Sequence, residues 1–241
     1  MSVEFDLIER TKRFAKEVNE LIFSGDMYVY NPLEYAWDAH KLYLERYVHP
    51  GVKVMFLGMN PGPFGMAQTG VPFGEIDAVR SWMDIETEVG QPHRFHPKRP
   101  VTGFKTTRHE VSGQRLWSLM AERYGSAKVF FSSHTVMNYC PLVFVDSGPT
   151  GRNIVPQKLP KQERALLESV CDRYLSDVIR YLHPQFLVGI GSYASDKLRQ
   201  VVTSSEKDMV ITILHPSPGN PQANSGWAKK VVRQLQEASI W

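Results

Sequence analysis

One short apolar run that leads directly into a loop of glycines and prolines constrains the fold of this chain most. The run extends from Val52 to Leu57, and the loop after it reads Gly58-Met59-Asn60-Pro61-Gly62-Pro63-Phe64-Gly65-Met66. A brief apolar segment bounded by such a loop is typical of a buried strand. In α/β folds, ligands bind beyond the carboxyl ends of the strands. The loop carries the amide side chain of Asn60 and is therefore predicted to form a pocket wall.

Further strands alternate with helices along the rest of the chain. Apolar residues at three- and four-residue spacing predict a helix between Phe5 and Phe23. Asn31 followed by Pro32 is typical of the N-cap and first residue of a second helix, which ends near Tyr47. The other predicted strands are Lys128–Phe131, Thr135–Met137, Phe186–Ile190 and Met209–Leu214. The other predicted helices are Ile76–Met83 (a helix or turn), Gln114–Arg123, Pro160–Leu182, Tyr193–Val202 and Trp227–Ala238, with a long loop from Gln91 to Arg108.

This alternation predicts an α/β protein with a mostly parallel central sheet flanked by helices on both faces, a three-layer sandwich. The 241 residues, 42% of them hydrophobic, can bury one core of ordinary size, and no break in composition indicates a second core. We therefore expect a single domain over residues 1–241. In it, N-terminal helices within residues 1–50 pack on an α/β core formed by residues 51–241.

Three polar residues follow predicted strands. Asn60, Asn138 and His215 each come directly after one of them. The carboxyl ends of parallel strands lie at one edge of a sheet, so these side chains are expected to converge on one crevice. Each also has a structural interpretation: an Asn in a Gly/Pro loop is more often a turn former, and a lone His is often a buried structural residue.

Cysteine and histidine usage indicates neither a disulfide framework nor a metal site. Cys140 and Cys171 are too few for a disulfide-rich fold or a Cys-ligated cluster, and are expected to be reduced, half-buried packing residues. His93 and His96 have no cysteine or carboxylate cluster beside them that would complete a ligand pattern. The N-terminus resembles no signal peptide and no apolar run reaches membrane-spanning length, so an intracellular protein without membrane contact is expected.

The net charge of +3 is small, but the basic residues are clustered. One cluster lies in a Pro/Gly-interrupted segment (Lys98, Arg99, Lys105, Arg108 and His109), and another lies near the C-terminus (Lys229, Lys230 and Arg233). Such clusters are suited to contact with phosphates. A charged loop or a solvated helix face is an equally good interpretation of each cluster taken alone.

Two longer strings are more specific than their separate residues. Gly58 to Glu75 and His215 to Trp227 each have an order that a generic loop does not require. The first closely resembles the signature of the single-strand-selective monofunctional uracil-DNA glycosylases. The resemblance covers most of the chain from Gly51 onward, through His96–Pro100, Glu110–Gly113, Asn138–Leu142, Gly151–Asn153, His215–Pro218 and Asn220–Trp227.

The resemblance implies a hydrolytic DNA glycosylase that needs no metal or organic cofactor. It implies that Asn60 positions the attacking water, Phe73 stacks on the extruded base, Asn138 reads the edge of that base and His215 stabilises the departing uracil. It assigns base-enclosing positions to Met59, Gly62 and Met66, and DNA contacts to Pro216, Ser217, Pro218, Gly219, Asn220, Lys98 and Arg99. The proline-stiffened segment from Pro216 to Trp227 is the expected wedge. Gly219 departs from the family pattern, which has a basic residue at this position.

The amide of Asn138 can accept a hydrogen bond from uracil N3–H while donating one to O4, and cytosine presents the opposite pattern. Gly62 leaves space for 5-substituted uracils such as 5-hydroxymethyluracil, although a glycine here could equally serve a positive φ. No lysine occupies the positions of Asn60 or Asn138, so no Schiff-base nucleophile is indicated and the product is an abasic site. The expected partner is uracil-containing DNA, single- or double-stranded, bound by a monomer in the nucleus or the bacterial nucleoid.

Other functions are compatible with parts of the pattern. A mismatch-directed uracil/thymine or deaminated-purine glycosylase of the same superfamily is the nearest alternative. Gly189-Ile190-Gly191-Ser192-Tyr193 after a predicted strand suggests a nucleotide-binding α/β protein, although the third glycine of the dinucleotide fingerprint is missing. A DNA-binding module that keeps the fold without the reaction is the remaining alternative.

Overall fold

A four-stranded parallel sheet forms the centre of the protein. The computed structural model describes residues 6–241, so Phe5, the predicted start of the first helix, lies outside the described residues. The strands are β2 (Val54–Gly58), β3 (His134–Asn138), β6 (Phe186–Ile190) and β7 (Val210–Ile213), in the order β3-β2-β6-β7 with every neighbouring pair parallel. Strand β2 is buried along its whole length. The predicted α/β architecture is confirmed.

Helices cover this sheet. They are α1 (Leu7–Asn19), α2 (Pro32–Tyr35), α3 (Trp37–Tyr47), α4 (Met66–Thr69), α5 (Val111–Tyr124), α6 (Ala127–Phe131), α7 (Lys161–Leu182), α8 (Ser192–Val201) and α9 (Trp227–Glu237). Helix α8 packs on β6 and β7, α9 on β7 and α6 on β3, while α7 packs against α1 and α8. Within residues 6–241, no helix combines the length and the apolar character that a membrane crossing requires.

The second predicted helix is divided in two. Asn31 caps its first part as expected, with Oδ1 accepting a hydrogen bond from the Leu33 amide at 3.1 Å. The break falls at Ala36, whose φ of −116° and ψ of 30° are not helical. At this point the backbone of Gly70 lies so close that a Cβ on Gly70 would be 2.6 Å from the Ala36 carbonyl oxygen. Tertiary packing against the loop after α4 therefore interrupts the helix.

The predicted strand Lys128–Phe131 is wrong, because these residues belong to helix α6. Ser126 caps the helix, and its Oγ accepts a hydrogen bond from the Val129 amide at 3.3 Å. The buried positions are Ala127, Phe130 and Phe131, which have the i, i+3, i+4 spacing of one helix face. A short apolar run does not by itself distinguish a strand from a buried helix.

A second sheet was not predicted. It is antiparallel, in the order β1-β4-β5, and consists of β1 (Met27–Tyr30), β4 (Val143–Asp146) and β5 (Asn153–Ile154). Its strands have at most four residues, too few to show a clear alternation of apolar and polar side chains.

The two cysteines, Cys140 and Cys171, are free thiols as expected, but both are fully buried and not half-buried.

Shorter turns connect these elements. The predicted helix or turn at residues 76–83 contains a π-helical turn at Ala78–Trp82, and 3₁₀ turns lie at Gly103–Lys105, Pro156–Lys158, Ser204–Met209 and Pro221–Asn224. The long loop predicted from Gln91 to Arg108 contains only the first of these 3₁₀ turns. It runs from the β1 side of the molecule to the start of α5.

Candidate active site

A pocket of about 430 Å³ opens at the carboxyl end of the parallel sheet. It brings together Asn60 after β2, Asn138 at the end of β3 and His215 after β7. The other predicted base-binding residues also line it: Met59, Gly62, Met66 and Phe73. Asn60, Asn138 and His215 are far apart in the sequence, and the parallel topology of the sheet brings them together.

The amide of Asn60 is fixed in one orientation. Its Nδ2 donates hydrogen bonds to the carbonyl oxygens of Leu142 at 3.1 Å and Pro61 at 3.3 Å. Its Oδ1 is buried and has no hydrogen-bond partner among the described residues. A buried polar atom without a partner is rare and costly in a folded protein. Asn60 thus lines the pocket with its donors engaged by the backbone and with its acceptor unpartnered in the pocket wall.

The ring of His215 has a defined tautomer. The amide N–H of Ser217 donates a hydrogen bond to Nδ1 at 3.1 Å, so Nδ1 is an acceptor. Burial lowers the pKa of His215 below its ordinary value, which keeps the imidazole neutral at pH 7. In the neutral ring the proton is therefore on Nε2. His215 is a hydrogen-bond donor at the pocket without carrying a charge.

Phe73 and Asn138 meet at the end of β2, where Gly58 leaves room for both. A Cβ on Gly58 would lie 2.5 Å from both Asn138 Oδ1 and Phe73 Cε2. The Nδ2 of Asn138 lies 3.3 Å from the sulfur of Met66, which is a weak acceptor. The Phe73 and His215 rings lie 6.5 Å apart with an angle of 44° between their planes. The pocket thus offers an aromatic face and an amide edge side by side.

The backbone of Phe73 is held in an unusual conformation. Its φ of +51° lies in the left-handed region, which costs a residue with a side chain on the order of 1–3 kcal/mol. Its carbonyl oxygen accepts hydrogen bonds from Trp117 Nε1 at 2.9 Å and from the Glu75 amide at 2.7 Å. Gly113 has no Cβ and so lets α5 approach this carbonyl closely. These contacts determine where the Phe73 ring lies.

Known proteins share both the sequence and the fold. A family profile for the uracil DNA glycosylase superfamily matches residues 45–236. The single-strand selective monofunctional uracil-DNA glycosylases of Rattus norvegicus and Bos taurus are each 42% identical over 235 residues, which cover 97% of this chain and 84% and 86% of the relatives. The crystal structure of Pedobacter heparinus SMUG2 shares the fold, with a TM-score of 0.66 at 16% identity, over 99% of this chain and 100% of that chain.

The chain belongs to the uracil DNA glycosylase superfamily. It is therefore a DNA glycosylase, an enzyme whose substrate is DNA. The resemblance to this family is confirmed, and so is the α/β fold that it implied. The roles of individual residues are a separate question, which the pocket's geometry addresses.

Two glycines that suggested a nucleotide-binding protein have packing roles in this glycosylase fold. A Cβ on Gly189 would clash with Ser195 at the start of α8. Gly191 has a φ of +91°, and a Cβ there would lie 3.2 Å from the Cβ of His215. These glycines therefore let α8 and the loop that carries His215 pack against β6.

Gly62 does not have the left-handed conformation that was one explanation for a glycine at this position. A Cβ on Gly62 would have no atom within 4 Å among the described residues. The remaining explanation for a glycine at position 62 is that it leaves space in the pocket for a substituent on the bound base. Gly62 faces the same cavity as Asn60 and Phe73.

The predicted wedge lies at the rim of the pocket. Ser217 and Pro218 line the pocket, Pro218 and Gly219 are exposed, and Pro216 is buried beneath them. Arg115 on α5 holds this segment, since its guanidinium donates to the Pro216 carbonyl at 2.8 Å and to Asn224 Oδ1 at 3.0 Å. The whole segment from Pro216 to Asn220 is uncharged. Asn220 caps the following turn through a hydrogen bond from the Gln222 amide at 3.1 Å.

Lys98 and Arg99 lie beside the pocket and do not line it. Lys98 is exposed. Arg99 is half-buried and donates from Nε to the Gly151 carbonyl at 2.8 Å. The predicted phosphate-contacting residues thus belong to the surface around the opening.

Several pocket residues were given no role from the sequence, and Glu110 is the most instructive. Its carboxylate lines the pocket, and burial raises its pKa. Both oxygens are used as the N-cap of α5, accepting from the amides of Ser112 at 3.1 Å and Gly113. An acid just before an amphipathic helix is the sequence signal of such a cap. Asn153 and Val155 also line the pocket; Asn153 belongs to β5 of the unpredicted second sheet and Val155 directly follows that strand.

His109 lines the pocket and faces a buried carboxylate. Its Nδ1 lies 3.0 Å from Oε1 of the buried Glu75, and this contact raises the pKa of His109, with a smaller contribution from Asp77. The three groups bring possible metal-ligand atoms within 4.8 Å of one another, which the sequence did not predict. Both Glu75 oxygens already have partners, since Oε2 accepts from the Ala78 amide at 3.0 Å. The group is accordingly a hydrogen-bonded histidine–carboxylate pair beside the pocket.

Proposed function

We propose that this glycosylase is monofunctional and hydrolyses the N-glycosidic bond of uracil in DNA, leaving an abasic site. The observation that carries the proposal is the buried, unpartnered Oδ1 of Asn60, in the same pocket as the Nε2–H of His215. The curated relatives at 41–42% identity are named as monofunctional uracil-DNA glycosylases, which supports the same activity here.

Substrate binding requires a nucleotide to leave the base stack, at a cost of a few kcal/mol. In the proposed complex the uracil stacks on Phe73 and presents its N3–O4 edge to Asn138. Asn138 Oδ1 accepts from N3–H and Nδ2 donates to O4, exchanging its weak contact with the Met66 sulfur for a carbonyl acceptor. Cytosine has an acceptor at N3 and a donor at C4, so it leaves both amide groups unsatisfied. Met59 and Met66 enclose the base.

Bond cleavage develops negative charge on the uracil and positive charge on the deoxyribose. The Nε2–H of His215 donates to the departing base, and a single preorganised donor of this kind typically contributes a factor of about 10²–10³ in rate. The Oδ1 of Asn60 accepts a hydrogen bond from a water and holds it against the sugar. An amide cannot remove a proton at pH 7, and Glu110 is engaged as a helix cap. The mechanism therefore depends on dissociation before attack.

The substrate range follows from Gly62. The open space where a side chain of residue 62 would lie accommodates a substituent on C5 of the bound uracil. 5-hydroxymethyluracil is therefore a proposed second substrate. All steps are assigned to side chains of this chain, and the proposed reaction needs no metal or organic cofactor.

The proposed substrate is single- or double-stranded DNA, with Ser217, Pro218, Gly219 and Asn220 acting as the wedge above Pro216 and with Lys98 and Arg99 contacting phosphates. The protein acts as a single-domain monomer, in the nucleus or in the bacterial nucleoid according to its host.

The test is base release from end-labelled single- and double-stranded oligonucleotides that carry one uracil or one 5-hydroxymethyluracil, in the presence of EDTA. Strand breaks that require alkali show abasic sites and support monofunctional hydrolysis. Breaks without alkali, or a DNA adduct trapped by borohydride, would contradict it. The absence of breaks with a folded, DNA-binding protein would favour the non-catalytic alternative.

A further inference from the structure

Two arginines lie against one aromatic ring beside the pocket. The guanidinium carbons of Arg99 and Arg108 are 5.3 and 5.1 Å from the ring centroid of Phe64. Phe64 belongs to the glycine-rich loop and lines the pocket. Cation–π contacts of this kind stabilise a guanidinium over the ring without using its hydrogen-bond donors. We refer to Phe64, Arg99 and Arg108 as the arginine–phenylalanine cluster.

The hydrogen-bonding state of the two arginines leaves donors free. Arg99 is anchored through Nε to Gly151 and through Nη1 to the Lys98 carbonyl at 3.1 Å. The guanidinium of Arg108 is exposed and, in the part of the chain that the structure describes, makes neither a hydrogen bond nor an ion pair. One arginine is therefore positioned by the protein and the other is positioned only by the ring.

The charge around the cluster is one-sided. From Gln91 to His109 the chain has five Lys or Arg residues and no Asp or Glu. The nearby acids already have partners: Glu75 lies against His109, and Glu110, two residues after Arg108, caps α5 through both carboxylate oxygens. The wedge from Pro216 to Asn220 is uncharged. The positive charge at the pocket opening is thus concentrated on the side of Phe64.

We propose that the arginine–phenylalanine cluster binds the phosphodiester backbone of the DNA strand whose base occupies the pocket. The occupant follows from charge complementarity and from continuity with the pocket, because Phe64 is shared by both. Guanidinium groups bind phosphate oxygens through two parallel hydrogen bonds, and the planar ring restricts Arg108 before DNA arrives. Arg108 belongs to the basic segment that the sequence indicated as suited to phosphates, and its contact with Phe64 is what distinguishes it within that segment. The proposal rests on the proposed function only in requiring DNA in the pocket.

The experiment measures binding without chemistry. A fluorescent single-stranded oligonucleotide with a tetrahydrofuran abasic analogue has no glycosidic bond to cleave, and its dissociation constant is measured by anisotropy at several KCl concentrations. The variants are Arg108→Gln and, as a matched control, Arg123→Gln. Arg123 is exposed and also contacts a ring, that of Trp241 at 4.3 Å. It lies near the opposite end of α5 from His109, about 20 Å away at 1.5 Å per residue.

Loss of one phosphate contact lowers the slope of log affinity against log salt by about 0.7 for a single strand. We expect this change in Arg108→Gln, with several-fold weaker binding in 0.1 M KCl, and wild-type behaviour in Arg123→Gln. Phe64→Leu keeps both charges, so it should weaken binding with the slope unchanged. Equal slopes for Arg108→Gln and wild type, or an equal loss in Arg123→Gln, would overturn the proposal.

The outcome is separable from that of the proposed function. A reduced slope in Arg108→Gln supports the cluster's role even if wild-type protein releases no uracil, which would refute only the glycosylase proposal. Uracil release by wild type together with an unchanged slope in Arg108→Gln would refute only the cluster's role. Failure of the wild type to bind DNA at all would overturn both.

Discussion

The floor and the rim of the pocket are built in different ways. The floor consists of Asn60, Phe73, Asn138 and His215, none of which is fully exposed. Hydrogen bonds fix the Asn60 amide, the Phe73 backbone and the His215 ring, the first two through buried partners. The rim consists of Lys98, Arg99, Arg108 and the Ser217–Gly219 segment, which are mostly exposed. The difference indicates that bond cleavage depends on preorganised polar atoms, whereas DNA capture depends on exposed charge. Substitutions in the two regions should therefore change different kinetic constants.

The largest effect is expected from Asn60→Ala. Removing the acceptor for the attacking water should lower the rate of uracil release by a factor of about 10²–10³, comparable to the loss of one preorganised polar group. The affinity for DNA with an abasic analogue should change less than threefold. Single-turnover kinetics and anisotropy measure the two quantities, and a thermal melt verifies folding. A variant that loses affinity and rate together would break the distinction between floor and rim.

His215→Gln is expected to lower the rate of uracil release about a hundredfold, since an amide donor replaces the imidazole N–H in a different position.

The same variant tests how the rate of uracil release depends on pH. Burial lowers the pKa of His215, so the wild-type ring is neutral from pH 8.5 down through pH 7 and its rate should be constant there. As pH falls through the lowered pKa, a proton on Nδ1 opposes the Ser217 N–H and the rate should fall. The rate of His215→Gln, relative to its folded fraction, should lack that fall; an identical profile would refute the assignment.

A smaller effect on the floor is expected from Trp117→Phe. The substitution removes the indole N–H that donates to the Phe73 carbonyl, so the left-handed Phe73 is less well held and the rate should fall about tenfold. Trp82→Phe is the matched control, because Trp82 Nε1 donates at the same distance of 2.9 Å to the Gly125 carbonyl and not to that of Phe73. Equal losses of rate in both variants would show that only general stability is involved.

The smallest effect is expected at the rim, from Gly219→Arg. Among residues 6–241, a Cβ at this position meets only Ser217 Oγ, at 3.5 Å, so a side chain fits. The added charge should raise affinity for duplex DNA a few-fold and steepen the salt dependence by about 0.9. Gly219→Gln supplies a side chain of similar reach without charge and should leave the slope unchanged. If Gly219→Arg binds duplex DNA no more tightly than Gly219→Gln, residue 219 does not lie close to the DNA.

The sequence predicted the parallel sheet and the convergence of the floor because these depend on local patterns. The buried run before Gly58, and polar residues directly after strands, are visible without a structure. The antiparallel sheet was missed because its strands are short and β1 pairs with β4, as in Met27 with Asp146, across more than a hundred residues. The strand prediction for Lys128–Phe131 is wrong because the apolar run is compatible with a strand, and the only local signal for helix α6 is its N-cap, Ser126.

Contacts between distant segments explain the rest of what the sequence did not predict at the site. The hydrogen bond from Trp117 to Phe73 and the packing of Arg108 on Phe64 each join residues more than forty positions apart. No local pattern encodes such contacts. The orientation of the Asn60 amide likewise depends on the Leu142 carbonyl, which the unpredicted second sheet helps to position.

The most direct test of the account places variants in one plane, with the single-turnover rate of uracil release on one axis and the dissociation constant for abasic-analogue DNA on the other. We predict that Asn60→Ala and His215→Gln move along the rate axis alone, and that Arg108→Gln moves along the affinity axis alone. Floor variants that lose affinity as much as rate, or an Arg108→Gln variant that loses rate at saturating enzyme, would contradict it.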